Sequence, residues 1–410
     1  MNRQLRQDAQ WIVEQAIAAV KPDQAVRRAL ENVSLTGNVY LVAVGKAAWQ
    51  MAAAAVRELK VPVCKGMVIT KYGHVMGDIP GIHCWEAGHP VPDDNSFAAT
   101  QAVLEMTANL KAEDTVLFLL SGGGSALFEK SLVKPETLQE VTRILLGAGA
   151  DIMQINTIRK RLSAVKGGRF AAHCAPARVE AVILSDVLGD PVDMIASGPA
   201  AADPVTSEEA KAVADRYGVG SLEGVAACMG METPKEVPNV HTQIIGSVRE
   251  LCRAAEKTAS SLGYECIFLS DSLDGEASDT GRELAEKLKG YACSGRKVAL
   301  IAGGETVVHL KGNGLGGRNQ ELALTAATVL DGISNAAIIS VGSDGTDGPT
   351  DAAGGYADGD TVRELAEKGL DIHAYLANND SYHALKTVGN LIITGPTGTN
   401  VNDVTIGLIE

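Results

Sequence analysis

Aromatic side chains are scarce in this chain, at 4% of the residues, while 46% are hydrophobic and Gly reaches 44. The core is therefore aliphatic and the turns tight, as in α/β folds with many strand-to-helix loops, and disorder is excluded. Positive charge is also in deficit. Lys+Arg 36 against Asp+Glu 50 leaves a formal net charge of −14. That field repels nucleic acid and anionic membrane surfaces before local contacts form, so neither is expected as a partner. A basic residue in a ligand cleft then works against the field of the whole chain. The cysteines number 7 and come no closer together than Cys252 and Cys266, so neither a CxxC redox pair nor a zinc knuckle can be drawn. Reduced thiols and a cytoplasmic location are expected. No stretch approaches the ~20 apolar residues of a membrane span. The opening MNRQLRQDAQWIVEQAIAAV reads as an amphipathic helix and not as a signal peptide.

At 410 residues the chain exceeds the ~250–300 at which one core stops growing, which predicts two domains with an active-site cleft between them. Apolar runs alternate with helical patterns. VYLVAVG (39–45), GMVIT (66–70), TVLFLLS (115–121) and VEAVILS (179–185) read as parallel strands joined by crossover helices. The rhythm lapses over GVAACMGMETPKEVPNVHTQ (224–243), the expected linker, and divides the chain into domains over 1–235 and 236–410. In the second, IIGS (244–247), CIFLS (266–270), VALIAGGE (298–305), VVHLKG (307–312), AAIISVGS (336–343), LIIT (391–394) and VTIGLI (404–409) are the expected strands. The quick succession VALIAGGETVVHLKG predicts a mixed sheet there.

Ligands of open α/β sheets bind beyond the carboxyl ends of the strands. At one such end, FLLSGGGSALFE (118–129) places Gly122, Gly123 and Gly124 between Ser121 and Ser125. Glycines let successive N–H groups turn toward one point, so the loop reads as an anion cradle; a plain strand-to-helix turn would use the same residues. It is neither a Walker A loop nor a GxSxG nucleophile elbow. Lys46 follows Gly45 at another strand end, ahead of an Ala-rich helix. A cation there opposes the helix dipole and suggests a compensating anionic ligand. VILSDVLGDPVDMIASGP (182–199) and IISVGSDGTDGPTDAAGG (338–355) deliver Asp186, Asp190, Asp344 and Asp347, carboxylates suited to Mg²⁺ or to hydroxyl contacts. Asp193 and Asp351 read as turn or cap residues.

IAGGETVVHLKGNGLGGRNQELAL (301–324) is the densest stretch. Gly312, Gly314 and Gly317 satisfy GxGxxG, which raises a nicotinamide-dependent dehydrogenase as a rival; the ribose-binding acid should lie ~20 residues on at a strand end, but Asp331 precedes the next strand. Arg318 and Asn319 open the following helix, and a guanidinium fork there suits a carboxylate or phosphate. In LIITGPTGTNVNDVTIGLI (391–409), Thr394, Thr397, Thr399, Asn400 and Asn402 form a polar loop between strands, suited to a sugar acid or to nucleotide hydroxyls. A β-hairpin turn would use the same types. The histidines lack metal spacing and read as core or surface.

Taken together, VGKAAWQMA, EAGHPVPDDNS (86–96), LLSGGGSALFE, INTIRKRLSAVKGGR (155–169), ILSDVLGDPVDMIASGP, AGGETVVHLKGNGLGGRNQELAL, GSDGTDGPTDAAGG and TGPTGTNVNDV resemble, in family order, the glycerate 2-kinases with a C-terminal MOFRL domain, often labelled hydroxypyruvate reductases. The resemblance implies a Rossmann-like N-terminal domain with a parallel sheet and a C-terminal α/β domain. The family's functional lysine falls on Lys46 and its arginine on Arg318. It also implies transfer of a phosphoryl group from ATP, with Mg²⁺, to the 2-hydroxyl of D-glycerate. In that frame Ser121 to Ser125, Glu305, Asn319, Thr399 and Asn400 are the expected nucleotide contacts, Asp186, Asp344 and Asp347 the expected metal ligands, and Asp190 the expected base. An NAD(P)H-dependent hydroxypyruvate reductase and a non-catalytic phosphometabolite sensor are the competing readings. Self-association into a homo-oligomer is left open.

Overall fold

Aliphatic and β-branched runs build two sheets, and the chain places each in its own compact unit: Ala25–Ile245, and Met1–Gln24 with Gly246–Glu410. The structure is a computed structural model that describes residues 3–31, 33, 35–185, 187 and 189–410.

The unit 25–245 holds β1 (Val39–Val44), β2 (Val63–Lys71), β3 (Ile82–Ala87), β4 (Thr115–Leu120), β5 (Arg178–Leu184) and β6 (Val240–Gly246) in the order β3-β2-β1-β4-β5-β6. β1 runs parallel to β2 and β4, β2 to β3, and β4 to β5. Strand order reverses between β1 and β4, so the loops that leave these two strands flank the topological switch point, where ligands of such sheets bind. Residues 72–81 cross from β2 to β3 without a helix. The buried run of β4 packs Phe118 against Phe128 and Phe170, with Phe118–Phe170 centroids 4.9 Å apart. Three of the few aromatic residues thus anchor the glycine loop from beneath.

The other unit holds β7 (Glu265–Leu273), β8 (Val298–Gly304), β9 (Ala336–Gly342), β10 (Gly354–Asp358), β11 (Leu391–Ile392) and β12 (Asp403–Ile409), ordered β11-β10-β9-β12-β8-β7. The sheet is mixed, as expected, but from a different source. β12 returns antiparallel between β8 and β9, and β10 lies antiparallel to β9. Val307–Gly312 is no strand; Val307 makes only an isolated bridge to Glu276. Because β12 opposes both neighbours, β8 and β9 run the same way, and their ends Gly304 and Gly342 both pair with Asp403.

Two segments sit in other units than the sequence suggests. Residues 240–246, read as linker and first strand of the second half, form the edge strand β6 of the first sheet. The amphipathic helix Arg3–Ala19 belongs to the second unit, where Leu5, Ile12, Val13 and Ala16 are buried and where Tyr264 Oη donates to Asp8 at 2.8 Å. An apolar stripe can be buried by whichever partner presents a matching face, and sequence distance does not reveal which. Among the described residues no helix is long and apolar enough to cross a membrane, and all seven cysteines are free.

Candidate active site

The loops after β1 and β4 are locked together. Lys46 N donates to Gly122 O at 2.9 Å, Ser121 N to Val44 O at 2.9 Å, and Ala47 N to Ser121 Oγ at 3.1 Å. Gly45 has φ +120, and a Cβ on it would lie 2.2 Å from Ser121 Oγ, so only glycine permits this approach. Ser121 is buried and its hydroxyl serves this joint. Ser125 Oγ lies 3.0 Å from Ser197 Oγ, which donates to Asn156 Oδ1 at 2.9 Å. Both serine hydroxyls are thus engaged within the protein. The N–H groups of Gly122, Gly123, Gly124 and Ser125 make no hydrogen bond among the described residues, which leaves a run of backbone donors open to an anion. The helix that follows, Gly124–Leu127, is a single turn, so the backbone donors matter more here than a helix dipole.

Lys46 lies against this loop: a Cβ on Gly123 would stand 3.3 Å from Lys46 Cγ and 3.1 Å from His89 Nε2. The Lys46 ammonium has no ion-pair partner among the described residues, and neither does Lys71 at the end of β2. His74 Nδ1 lies 3.0 Å from the Lys46 carbonyl. Burial, then the charges of Lys46, Lys71 and His74, hold His89 below its ordinary value. These are the conditions for anion binding in a chain of net charge −14. Asp190, half-buried at φ 53, has no side-chain partner among the described residues; Asp186 lies outside them. Ala196, Ser197 and Gly198 also have positive φ, a concentration of backbone strain next to the Ser125 contact.

In the second unit Arg318 opens the helix Arg318–Leu330. Its Nε and Nη2 donate to Asp403 at 2.5 and 3.0 Å, and Nη1 lies 3.1 Å from Glu305 Oε1. Burial opposes its charge, but the hydrogen bonds and charge of Asp403, with Glu305, outweigh that and raise its pKa. Burial pushes Asp403 up to about 6, against the pull of the Arg318 hydrogen bonds and charge. Asn402 Nδ2 donates to Glu305 Oε2 at 2.8 Å. Glu305, Arg318 and Asp403 therefore form one assembled cluster at the ends of β8 and β12.

The other expected contacts in this unit have internal partners. Asp347 is buried and accepts from Asn319 N (3.1 Å) and Gln320 N (2.9 Å), and from Gln320 Nε2 (2.9 Å); it caps the helix that Gly317 leaves without a side-chain cap. Asn319 accepts from Ser340 Oγ at 2.6 Å within the core. Thr399 Oγ1 donates to Val20 O at 2.9 Å. Asn400 is exposed, and its side chain accepts from Asn402 N at 3.3 Å. Asp344 Oδ1 accepts from Thr346 N and Thr346 Oγ1, at 2.9 and 3.0 Å, and its other oxygen has no hydrogen bond among the described residues. No group of three metal-ligating side chains occurs among the described residues.

The GxGxxG stretch has a packing explanation. Lys311 N and Gly312 N donate to Asn379 Oδ1 at 2.6 and 3.1 Å, Gly314 N to Asn378 O at 2.9 Å, and Leu315 N to Asp380 Oδ1 at 3.0 Å. A Cβ on Gly314 would lie 2.4 Å from Asp380 Cβ. Gly312 and Gly314 admit the neighbouring segment 378–381, Gly317 admits Asp347, and the donors named are not free for a pyrophosphate.

Open backbone donors and a lysine without an ion-pair partner among the described residues thus meet at the switch point of an α/β sheet, an arrangement suited to an anion. The chain matches a domain of unknown function (DUF4147) over residues 8–229 and the MOFRL family over residues 298–403. It is 53% identical to the D-glycerate 2-kinase of Thermotoga maritima over 97% of each chain, and 38% identical to a putative hydroxypyruvate reductase of Agrobacterium vitis over 98% of this chain and 94% of that one. A crystal structure of glycerate kinase from Thermotoga maritima superposes with TM-score 0.96 at 52% identity, covering 99% of this chain and 100% of that one. The chain belongs to the glycerate 2-kinase family that carries the MOFRL domain.

Proposed function

We propose that the protein transfers the γ-phosphoryl group of ATP to the 2-hydroxyl of D-glycerate, giving ADP and 2-phosphoglycerate. The observation that carries this reading is the joined pair of loops at the switch point, with N–H groups at Gly122 to Ser125 and a Lys46 ammonium that have no partner among the described residues. Phosphoryl transfer needs alignment and neutralisation of the phosphate oxygens more than covalent help from the protein, and this inventory supplies those. The loop donors and Lys46 hold the phosphates. Arg318, fixed by Asp403 and Glu305, offers its remaining N–H groups to an anion, phosphate or glycerate carboxylate. Asp190 accepts the proton of the 2-hydroxyl as the bond to phosphorus forms. Mg²⁺ comes with the nucleotide, held by phosphate oxygens and one or two carboxylates; of those expected for it, Asp344 keeps an oxygen clear and Asp347 does not fit. The reductase name among the relatives finds no support in the first half of the GxGxxG loop, where Gly312, Gly314 and Leu315 donate to Asn379, Asn378 and Asp380.

Chromatographic measurement of ADP release from ATP–Mg²⁺ and D-glycerate, beside NADH oxidation with hydroxypyruvate, tests this reading. ADP release without NADH oxidation is expected. Lys46→Ala should lower kcat about a hundredfold or more with an unchanged Tm, since Lys46 lies on a loop and its side chain makes no hydrogen bond or ion pair among the described residues. A normally melting Lys46→Ala protein with full activity removes Lys46 from the mechanism.

A further inference from the structure

A cavity of about 480 Å³ opens beside the glycine loop, and all the residues that line it lie in the unit 25–245. It is of the size of small-molecule pockets, ~300–1,000 Å³. Gly123, Ser125 and His89 belong both to it and to the loop site. The rest of its wall is of two kinds. Val91, Phe97, Leu138 and Leu146 supply an apolar surface, with Leu146 left 62% exposed at it. Glu129 and Arg159 supply charged groups. Glu129 is only 3% exposed and pairs through Oε2 with Lys166, while its Oε1 is buried without any hydrogen bond. A buried acceptor left in that state is unfavourable until a donor reaches it. Arg159, at the end of the helix Ile152–Arg161, makes no ion pair among the described residues.

A three-carbon hydroxy acid could meet Glu129 and Arg159 but has almost no apolar surface to set against Phe97, Leu138 and Leu146. A polyphosphate alone has none. A nucleoside has all the required parts: a flat base for the apolar wall, amino or hydroxyl donors for Glu129, acceptors for Arg159, and a 5′ end from which phosphates extend. We propose that this cavity is the nucleoside subsite of the phosphoryl donor, with the 5′-phosphates leading across Gly123 to Lys46. The inference rests on the kinase reading and adds to it the position of the nucleoside.

Leu146→Asp tests it, because so exposed a residue can change without loss of fold; Thr142→Trp, which fills the cavity instead of charging it, is the second variant. ADP and inorganic tripolyphosphate binding are measured by calorimetry, and KM for ATP and for D-glycerate by steady-state kinetics. Both variants should weaken ADP binding and raise KM for ATP by about tenfold or more, as when an apolar contact is lost. Tripolyphosphate binding and KM for D-glycerate should stay within about twofold. A rise in KM for D-glycerate with ADP binding unchanged overturns the subsite and makes the cavity the acceptor's. Unchanged constants throughout overturn it as well. A wild-type protein that turns over no ATP with D-glycerate overturns the kinase reading instead, and the ADP titrations still decide the subsite.

Discussion

His89 lies beside Gly123 at the candidate site without announcing itself in the sequence. Lys46 and the three glycines were legible because a strand end, a positive charge and a run of glycine coincide there. His89, Arg159 and Glu129 were not, since each is brought to the loop by folding alone: His89 by a loop following β3, Arg159 by the end of a helix. His89 also leads to a pH prediction. Its imidazole is held below the ordinary histidine value, first by burial and then by Lys46, Lys71 and His74. The unfolded chain binds that proton at about pH 6.5 and the folded chain only lower, so between the two values the unfolded state holds more protons and stability rises with pH. Wild-type protein should therefore lose Tm relative to His89→Asn as pH falls from about 6.5 toward 5. Parallel Tm profiles for the two proteins would mean that His89 titrates normally. Phosphate placed over Gly123 would raise the same group, so nucleotide binding should take up protons in this range.

At the scale of elements, patterning found most of the strands, because seven-residue aliphatic runs such as β8 and β9 are buried at every position. It missed β10, whose GGYAD reads as a loop. There a Cβ on Gly354 would lie 1.9 Å from Ser340 O, so glycine serves close strand approach and not a turn. The GxGxxG stretch is a second case, its glycines serving close packing while the N–H groups of Gly312, Gly314 and Leu315 are already paired. Asp347 is the clearest case of a residue whose element explains it. It was read as a metal ligand from its position in an acidic loop, yet it accepts from the backbone N–H groups of Asn319 and Gln320 at the start of the helix that carries Arg318. Asp347→Ala should lower stability by about 2–3 kcal/mol, as loss of a buried cap does, and should lower Tm with and without Mg²⁺. An unchanged Tm with a lost response to Mg²⁺ would restore it as a metal ligand.

At the scale of the whole molecule, length and composition anticipated two α/β units, and strand patterning the parallel and the mixed sheet, the latter from a strand at 307–312 that is absent, but not that the first helix serves the second unit. Neither hydrophobic period nor charge encodes such a pairing; only the buried face of Arg3–Ala19 reveals it. The same scale holds the central functional claim, the transfer of a phosphoryl group from ATP to the 2-hydroxyl of D-glycerate. Phosphorus NMR of the purified protein with ATP, Mg²⁺ and D-glycerate tests that claim most directly. The account predicts a 2-phosphoglycerate resonance growing in step with ADP. A 3-phosphoglycerate product would contradict the position of transfer, and no ADP, with NADH consumed by hydroxypyruvate instead, would contradict the kinase itself.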